Sequence, residues 1–306
     1  FVAFMPQWDF LNFLAEEGRR YPTFQLRMNA EVTDLMDEAG TIVGLRADTV
    51  DGPLEVRANL VVGADGRHSV VRARAGLLID EFGAPMDVLW FRLSRRAGDP
   101  VDPMGRFDAG RIFIMLNRGE YWQCGFVIAK GSRDQLESKG LPAFRESVAA
   151  LAPFARDRIG ELHEWGAIKL LTVQVDRLRQ WYRGGLLCIG DAAHAMSPVG
   201  GVGINLAIQD AVATANMLAE PLSAGNLATE HLQRVQARRE WPTKMTQRVQ
   251  LMVQNRVIKA ALGSTAPVMP PLAFKMMVYF PALRRIPAWM IGLGFRPEHI
   301  RTMAAS

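Results

Sequence analysis

Cysteine is scarce, with only Cys124 and Cys188 in 306 residues. Both sit in apolar, strand-like runs. Buried free thiols in a reducing, cytoplasmic compartment follow, and a disulfide framework does not. The histidines are few as well: His68, His163, His194, His231 and His299. None forms a His-x-x-x-His pair and no Cys-x-x-Cys occurs, which argues against metal chemistry. There is no Gly-x-Ser-x-Gly elbow of the serine hydrolases and no Gly-x-x-x-x-Gly-Lys-Ser/Thr phosphate loop. No secretory signal and no unbroken run of about 20 apolar residues appears. No Gly-x-Gly-x-x-Gly follows a strand, and its acidic companion about 20 positions later is absent too. The chain opens on Phe1 rather than Met, as a fragment would.

What remains is ordinary globular composition, 49% hydrophobic and 22% charged, enough for one large or two modest domains. The net charge of +5 is mostly an arginine excess spread along the chain. It suits anionic cofactors or a membrane surface and demands no nucleic acid.

The most informative stretch runs from Gly184 to Ala219. Leu186–Ile189 is a short apolar run between glycines, which predicts a buried strand. Gly190 and Asp191 end it, placing a carboxylate at the carboxyl end of a strand, where open α/β sheets bind ligands. Ile204, Ile208, Ala211, Ala215 and Leu218 fall at helical spacing. Gly200, Gly201 and Gly203 let a ligand approach the backbone just before that helix. Its free N–H groups suit a negative or electron-rich group. By itself, a strand, an Asp and a helix could be only a capped crossover.

Earlier in the chain, Pro6-Gln7-Trp8-Asp9 leads into a helix faced by Phe10, Leu11, Phe13 and Leu14, with Asp9 as its N-cap. Glu31–Met36, Ile42–Thr49 and Leu54–Arg57 read as a meander separated by Gly- and Pro-containing turns. Leu60–Gly63 predicts a buried strand that ends in Ala64-Asp65-Gly66. Ser69 caps the following helix, and Gly76 stops it. From Glu81 to Val175 the pattern is richer in strands: Val88–Leu93, Arg111–Leu116 and Tyr121–Ile128, the last two forming a hairpin through Asn117–Glu120. Alternation sets Trp122, Cys124, Phe126 and Ile128 on one face and Tyr121, Gln123 and Gly125 on the other. One face should pack on helices and the other could roof a pocket. Leu141–Arg158 reads as helix and Ile168–Val175 as strand. Thr229–Ala261 reads as a long helix interrupted at Trp241-Pro242. Val268–Phe295 is apolar but cut by prolines. It reads as packed helices or, with Lys275, Arg284 and Arg285, as a weak peripheral contact with anionic lipid.

Taken whole, Gly190-Asp191-Ala192-Ala193-His194, then Pro198, Gly201, Gly203, Asn205 and Asp210-Ala211, resembles the second flavin motif of the FAD-dependent aromatic hydroxylases. Asp65, Gly66, Ser69 and Arg72 resemble the Asp-Gly motif that sets these hydroxylases apart among flavoproteins. The resemblance implies an α/β, Rossmann-like FAD-binding domain, incomplete at its N-terminus, interleaved with a β-sheet substrate domain and followed by C-terminal helices. The boundaries would be 1–80 with 176–222 for the flavin domain, 81–175 for the substrate domain and 223–306 for the helices. It implies NAD(P)H as co-substrate, O2 capture at the flavin C4a position, and oxygen transfer to an electron-rich organic small molecule. Asp191 would bind a ribityl hydroxyl, and Gly203, Ile204 and Asn205 would face the pyrimidine edge. Gly190 and Gly201 would belong to the same turn, and Pro198 would wall the ring. Gln7 would reach the ribityl–phosphate side, while Asp65, Gly66 and Arg72 would support the pyrophosphate and the NAD(P)H approach. His194 would shape the turn rather than act as an acid or base. A flavin halogenase or prenyl reductase on the same scaffold, or a remnant that holds no flavin, is the alternative; the halogenase Trp-x-Trp-x-Ile-Pro motif is absent. In the family the glycine-rich turn and its acidic partner precede the segment matching Gln7. The chain alone is therefore expected to bind FAD weakly or not at all and to be poorly soluble.

Overall fold

The structure is a computed structural model that describes residues 5–108, 110–264, 277 and 279–302. In chain order the elements are α1 (Gln7–Gly18), β1 (Ala30–Glu38), β2 (Thr41–Thr49), β3 (Gly52–Arg57), β4 (Val61–Gly63), α2 (Val70–Arg74) and β5 (Ile79–Glu81). Next come β6 (Met86–Ser94), β7 (Met104–Asp108), β8 (Arg111–Asn117), β9 (Tyr121–Ala129), α3 (Arg133–Glu137), α4 (Leu141–Leu151) and β10 (Lys169–Leu171). After these follow β11 (Asp176–Leu178), β12 (Tyr182–Arg183), β13 (Leu186–Cys188), α5 (Gly203–Ser223), α6 (Thr229–Val253), α7 (Lys259–Gly263) and α8 (Arg285–Gly292). The chain divides into two compact units. One comprises residues 1–82, 174–247 and 284–306, the other 83–173 and 248–283. Residues 223–306, read from sequence as one helical region, are thus shared between the two.

In the first unit β1, β2 and β3 form the expected antiparallel meander. A second sheet has the order β12-β13-β4, with β13 and β4 parallel and Leu186 opposite Val61, Leu187 opposite Val62 and Cys188 opposite Gly63. The tight turn into β13 requires glycine. Gly185 has φ +72°, and a Cβ there would lie 1.9 Å from the Ile42 carbonyl oxygen. Leu186, Leu187 and Cys188 are fully buried and pack with Leu35, Ile42, Val61, Val71, Leu178 and Trp181. Burial pushes the Cys188 thiol up to about 12. Strand β4 departs from the reading of two fully covered strands. Val62 is 41% exposed, because β4 is the outer strand of this sheet.

Three helix readings change for identifiable reasons, and one holds. Helix α1 begins at Gln7, with Pro6 at the N-cap and Asp9 inside the first turn. Proline cannot donate there in any case, and the Asp9 carboxylate favours the helix start from within. No residue of α1 is buried, and Trp8 and Phe13 are 71% and 56% exposed. The expected helix over 141–158 stops at Leu151, and a 3-10 segment runs over Pro153–Glu161, since Pro153 supplies no amide to continue an α-helical ladder. Helix α6, by contrast, passes through Pro242 without interruption and ends in a π-helical segment, Gln254–Ile258. A mid-helix proline costs about 3 kcal/mol. Anchors on either side offset it: Arg239 is held by Asp210, and Gln247 donates to the Asp176 carbonyl at 2.7 Å. The segment after Ser69 is as read, with the Ser69 hydroxyl accepting the Arg72 amide at 2.9 Å and Gly76 at φ +66° beyond the end.

The second unit is built on a five-stranded antiparallel sheet of order β10-β6-β9-β8-β7. Pairing sets Leu89 opposite Phe126, Phe91 opposite Cys124 and Leu93 opposite Trp122. This is the face that α4 covers. The Phe144 ring lies 5.2 Å from that of Phe126 and 5.7 Å from that of Phe91. The opposite face carries Trp90, Arg92, Tyr121 and Gln123. A Cβ at Gly125 would meet the Trp90 ring at 3.1 Å, so Trp90 lies flat over a residue with no side chain. The strand read over Ile168–Val175 is shorter, Lys169–Leu171. Beyond it the Val173 amide turns to the Asp87 carboxylate at 2.9 Å. Of the apolar tail, residues 268–276 and 278, Lys275 among them, lie outside the described residues. Among the described residues no helix is long and apolar enough to cross a membrane, and no cluster could hold a metal ion.

Candidate functional site

The parallel register of β4 and β13 brings both motifs to one place. The strands end level, at Gly63 and Cys188, and the Ile189 amide donates to the Gly63 carbonyl at 2.9 Å. Asp65-Gly66 and Gly190-Asp191 therefore leave the sheet side by side. Gly63 has to be small, since a Cβ there would meet Val71 at 2.8 Å and the Cys188 sulfur at 3.1 Å.

A cleft of about 710 Å³ opens at this end. Among its lining are Gln7, Phe10, Leu11 and Leu14 from α1, Gly66 and Arg67 after β4, and Gly190 and Asp191 after β13. Met196, Pro198, Gly201, Gly203, Ile204 and Ile208 complete the wall before and along α5. Asp65, Arg72 and Asn205 do not line it. The Asp65 carboxylate accepts the Ser69 hydroxyl at 2.5 Å and the Val71 amide at 3.1 Å, which spends it on the start of α2. Arg72 donates to the Arg67 carbonyl at 2.8 Å and the Ala192 carbonyl at 3.3 Å, and lies 3.6 Å from Asp176. It stitches one motif to the other from behind. The Asn205 amide group donates to the Ile291 carbonyl at 3.1 Å, so its side chain serves the junction with α8.

Facing the cleft, the Asp191 carboxylate accepts from Arg67 at 3.2 Å, both side chains being partly exposed. Arg67 is a site residue that the motif reading passed over, although it stands directly after Asp65-Gly66. Gly201 has φ +62° and no atom within 4 Å of a Cβ position, leaving the approach to α5 open. Ile204 and Ile208 are 40% and 37% exposed on the cleft side of that helix. The lining thus offers a carboxylate, a guanidinium, an amide side chain, the amino end of a 21-residue helix and apolar walls. This donor set fits the ribityl and ring portion of a flavin: hydroxyls for Asp191, an electron-rich edge for the helix amides, and a flat apolar body for Ile204, Ile208 and Phe10.

Behind the cleft lies a buried charge network. The Asp210 carboxylate accepts from the Gly190 amide at 3.1 Å, pairs with His194 Nε2 at 2.5 Å and accepts from Arg239 Nε at 2.9 Å. Burial alone would raise the Asp210 carboxyl, but His194 and Arg239 outweigh it and hold the group below its ordinary value. Asp176 goes the other way. Burial raises it, against the opposing pull of the Ala195 amide and Arg72. His194 shares this network, its ring tilted against that of Trp181 at a centroid distance of 4.9 Å. Arg239 had no local signal in the sequence, because it belongs to the site only through tertiary contact.

The chain belongs to a flavoprotein family: residues 1–249 match the model described as FAD binding domain. Among its relatives is the 6-methylpretetramide 4-monooxygenase of Streptomyces rimosus, 35% identical over 287 residues, spanning 92% of this chain and 68% of the relative. Digeranylgeranylglycerophospholipid reductase 2 of Methanothermobacter thermautotrophicus is 29% identical over 236 residues, covering 75% of this chain and 58% of the relative. Among solved structures, the anhydrotetracycline hydroxylase OxyS of Streptomyces rimosus superposes with a TM-score of 0.70 at 22% identity, over 99% of this chain and 59% of that one. The fold is that of the FAD-dependent class A monooxygenases. The chain spans 58–68% of the length of these three proteins.

Proposed function

We propose that this chain carries the ribityl- and ring-binding part of an FAD-dependent monooxygenase that uses NAD(P)H and O2 to hydroxylate an electron-rich aromatic substrate. The observation that carries this reading is the level ending of β4 and β13, which sets Gly66, Arg67, Gly190 and Asp191 around one cleft at the amino end of α5. When bound, FAD supplies the redox chemistry. The protein's part is to bind, orient and exclude water. Asp191, held by Arg67, accepts a ribityl hydroxyl. Gly203 and Ile204, at the amino end of α5 in the cleft wall, would offer backbone amides and the positive end of the helix dipole to the electron-rich edge of the ring, with the Asn205 amide next in the same turn. Pro198, Ile204 and Ile208 wall the ring and keep water from it. In the second unit, the sheet face with Trp90, Tyr121, Gln123 and Arg92 offers aromatic and cationic contacts to an aromatic substrate. A monooxygenase is favoured over a reductase because the monooxygenase relative is more similar and covers more of the chain.

The test is an FAD titration by flavin-fluorescence quenching. It is done on this chain, and again with a relative's Gly-x-Gly-x-x-Gly unit supplied ahead of it. Weak or no binding by the chain, and tight binding with substrate-stimulated NAD(P)H oxidation by the extended form, are expected. A colourless protein that quenches no flavin in either form would overturn the reading.

A further inference from the structure

Asp210 lines no part of the cleft, yet its bonds converge on the turn that does. It is fully buried on α5, and both of its oxygens are used. One accepts Arg239 Nε at 2.9 Å. The other meets the Gly190 amide at 3.1 Å and His194 Nε2 at 2.5 Å. Those last two groups mark the two ends of the turn that contains Asp191. Within the turn, the amides of Ala193 and His194 fold back onto the Gly190 carbonyl at 2.9 and 2.8 Å. Gly190 itself is left-handed, with φ +58°, and a Cβ there would lie 3.0 Å from that of Ala207, so the turn has no slack against α5. Arg239 is anchored in turn, donating to the Arg296 carbonyl at 2.9 Å and to Gln209 at 3.3 Å. A carboxylate that only balanced Arg239 would not need to hold both ends of a cofactor-facing loop.

We infer that Asp210, backed by Arg239, is a positioning residue that fixes the Gly190–His194 turn and thereby aims the Asp191 carboxylate into the cleft. The flavin part of this inference rests on the function proposed above, while the turn-fixing part stands on the ligand-free protein. Asp210 touches no ligand. It supplies a charged acceptor to a glycine amide, and charge-assisted bonds of this kind are stronger than neutral ones.

Two double variants test the inference without leaving a lone buried charge. Asp210→Ala/Arg239→Met removes the acceptor. Asp210→Asn/Arg239→Met restores an acceptor oxygen in nearly the same shape, and it is the milder change should the first variant fold poorly. In ligand-free protein, amide hydrogen exchange is followed at Gly190 and, as a control, at Ile189, whose amide bonds to the Gly63 carbonyl. The expected result is exchange at Gly190 at least about tenfold faster in the Ala/Met variant, beyond any change at Ile189, with protection returning in the Asn/Met variant. In the flavin-binding form of the protein, the FAD Kd should rise about tenfold in the Ala/Met variant and recover in the Asn/Met one. Equal change at Gly190 and Ile189, or no rescue by asparagine, would reduce Asp210 to a packing role and overturn the inference. If the unsubstituted protein holds no FAD, the functional reading fails, and the exchange result still decides the role of Asp210.

Discussion

Each unit holds an arginine–aspartate pair with both side chains buried, and the two pairs differ in what else their carboxylates hold. In the first unit Arg239 donates to Asp210 at 2.9 Å, with both side chains fully buried. In the second, Arg158 grips Asp99 with two nitrogens at 2.6 and 2.9 Å, both side chains again nearly inaccessible. Asp99 spends its remaining capacity on the Arg96 amide and the Trp122 indole, at 3.0 and 2.9 Å. Those contacts lock the segment after β6 to the core of the sheet and go no further. Asp210 instead spends its capacity on a turn that faces a cleft. The same chemistry therefore closes a fold in one place and holds a binding loop in the other. The third partner decides which.

The largest effect should come from breaking either pair on one side. Arg158→Ala leaves Asp99 without its cation and Arg239→Ala leaves Asp210 with His194 alone, and breaking a buried pair on one side typically costs about 3–5 kcal/mol. Denaturant unfolding should show comparable losses for both, and a loss well under 1 kcal/mol in either would mean that the carboxylate finds water or another partner. Next in size is Asp191→Ala. Loss of a hydrogen bond to a charged acceptor is worth about 1.5–3 kcal/mol, or roughly a ten- to hundredfold weaker FAD Kd with the fold intact. Unchanged flavin affinity would remove Asp191 from the site.

Acid sharpens the comparison further. Arg158, which bonds Asp99 directly, together with the Arg96 amide and the Trp122 indole, outweighs the cost of burial and holds the Asp99 carboxyl well below the ordinary carboxylate range. Asp210 is likewise lowered. A lowered carboxyl stabilises the fold fully above the unfolded-state value of about 4 and loses that contribution as pH falls below it. Stability should therefore drop steeply with acid below about pH 4, and Asp99→Asn should flatten that limb. An unchanged slope would show that the pair does not govern the acid limb. Asp176, raised by burial, has the opposite sign: its contribution is complete below the unfolded value and is lost as pH rises through the folded one. The smallest effect belongs to Ser69→Ala, which removes the cap of α2 at a cost of about 1 kcal/mol. A change in thermal midpoint too small to measure would mean that Asp65 takes over as cap.

How much of this was legible depended on whether a contact is local in sequence. The strand at Leu186, the turn at Gly190-Asp191 and the cap at Ser69 are written in neighbouring residues, and the structure has them as read. Alternation separates the two faces of β9 but leaves open which one a helix covers, and the contact of Phe144 with Phe91 and Phe126 decides it. Asp65 carried a motif but turns out to spend its carboxylate on α2, and Asn205 spends its side chain on Ile291. Motif membership names a position without saying which way its side chain points. Arg239 and Arg158 carry no local mark at all, because their partners lie 29 and 59 residues away. Proline misled in both directions. Pro153 ends its helix, while Pro242 is carried through by tertiary anchors that a local reading cannot weigh.

The Gly184-Gly185 turn acts as a ruler. The Gly185 carbonyl accepts the Val61 amide at 2.9 Å and the Gly184 carbonyl accepts the Ile42 amide at 2.8 Å, so where β13 starts is pinned from two sides. A strand advances about 3.3 Å per residue and changes face at each step. One residue inserted or deleted between Gly185 and Gly190 would therefore carry Asp191 about 3.3 Å past Arg67 and send each strand side chain beyond the change to the opposite face. No side chain of the cleft would have changed, and the cleft would still be lost. Length, at this one corner of the chain, is as much a part of the binding site as any carboxylate.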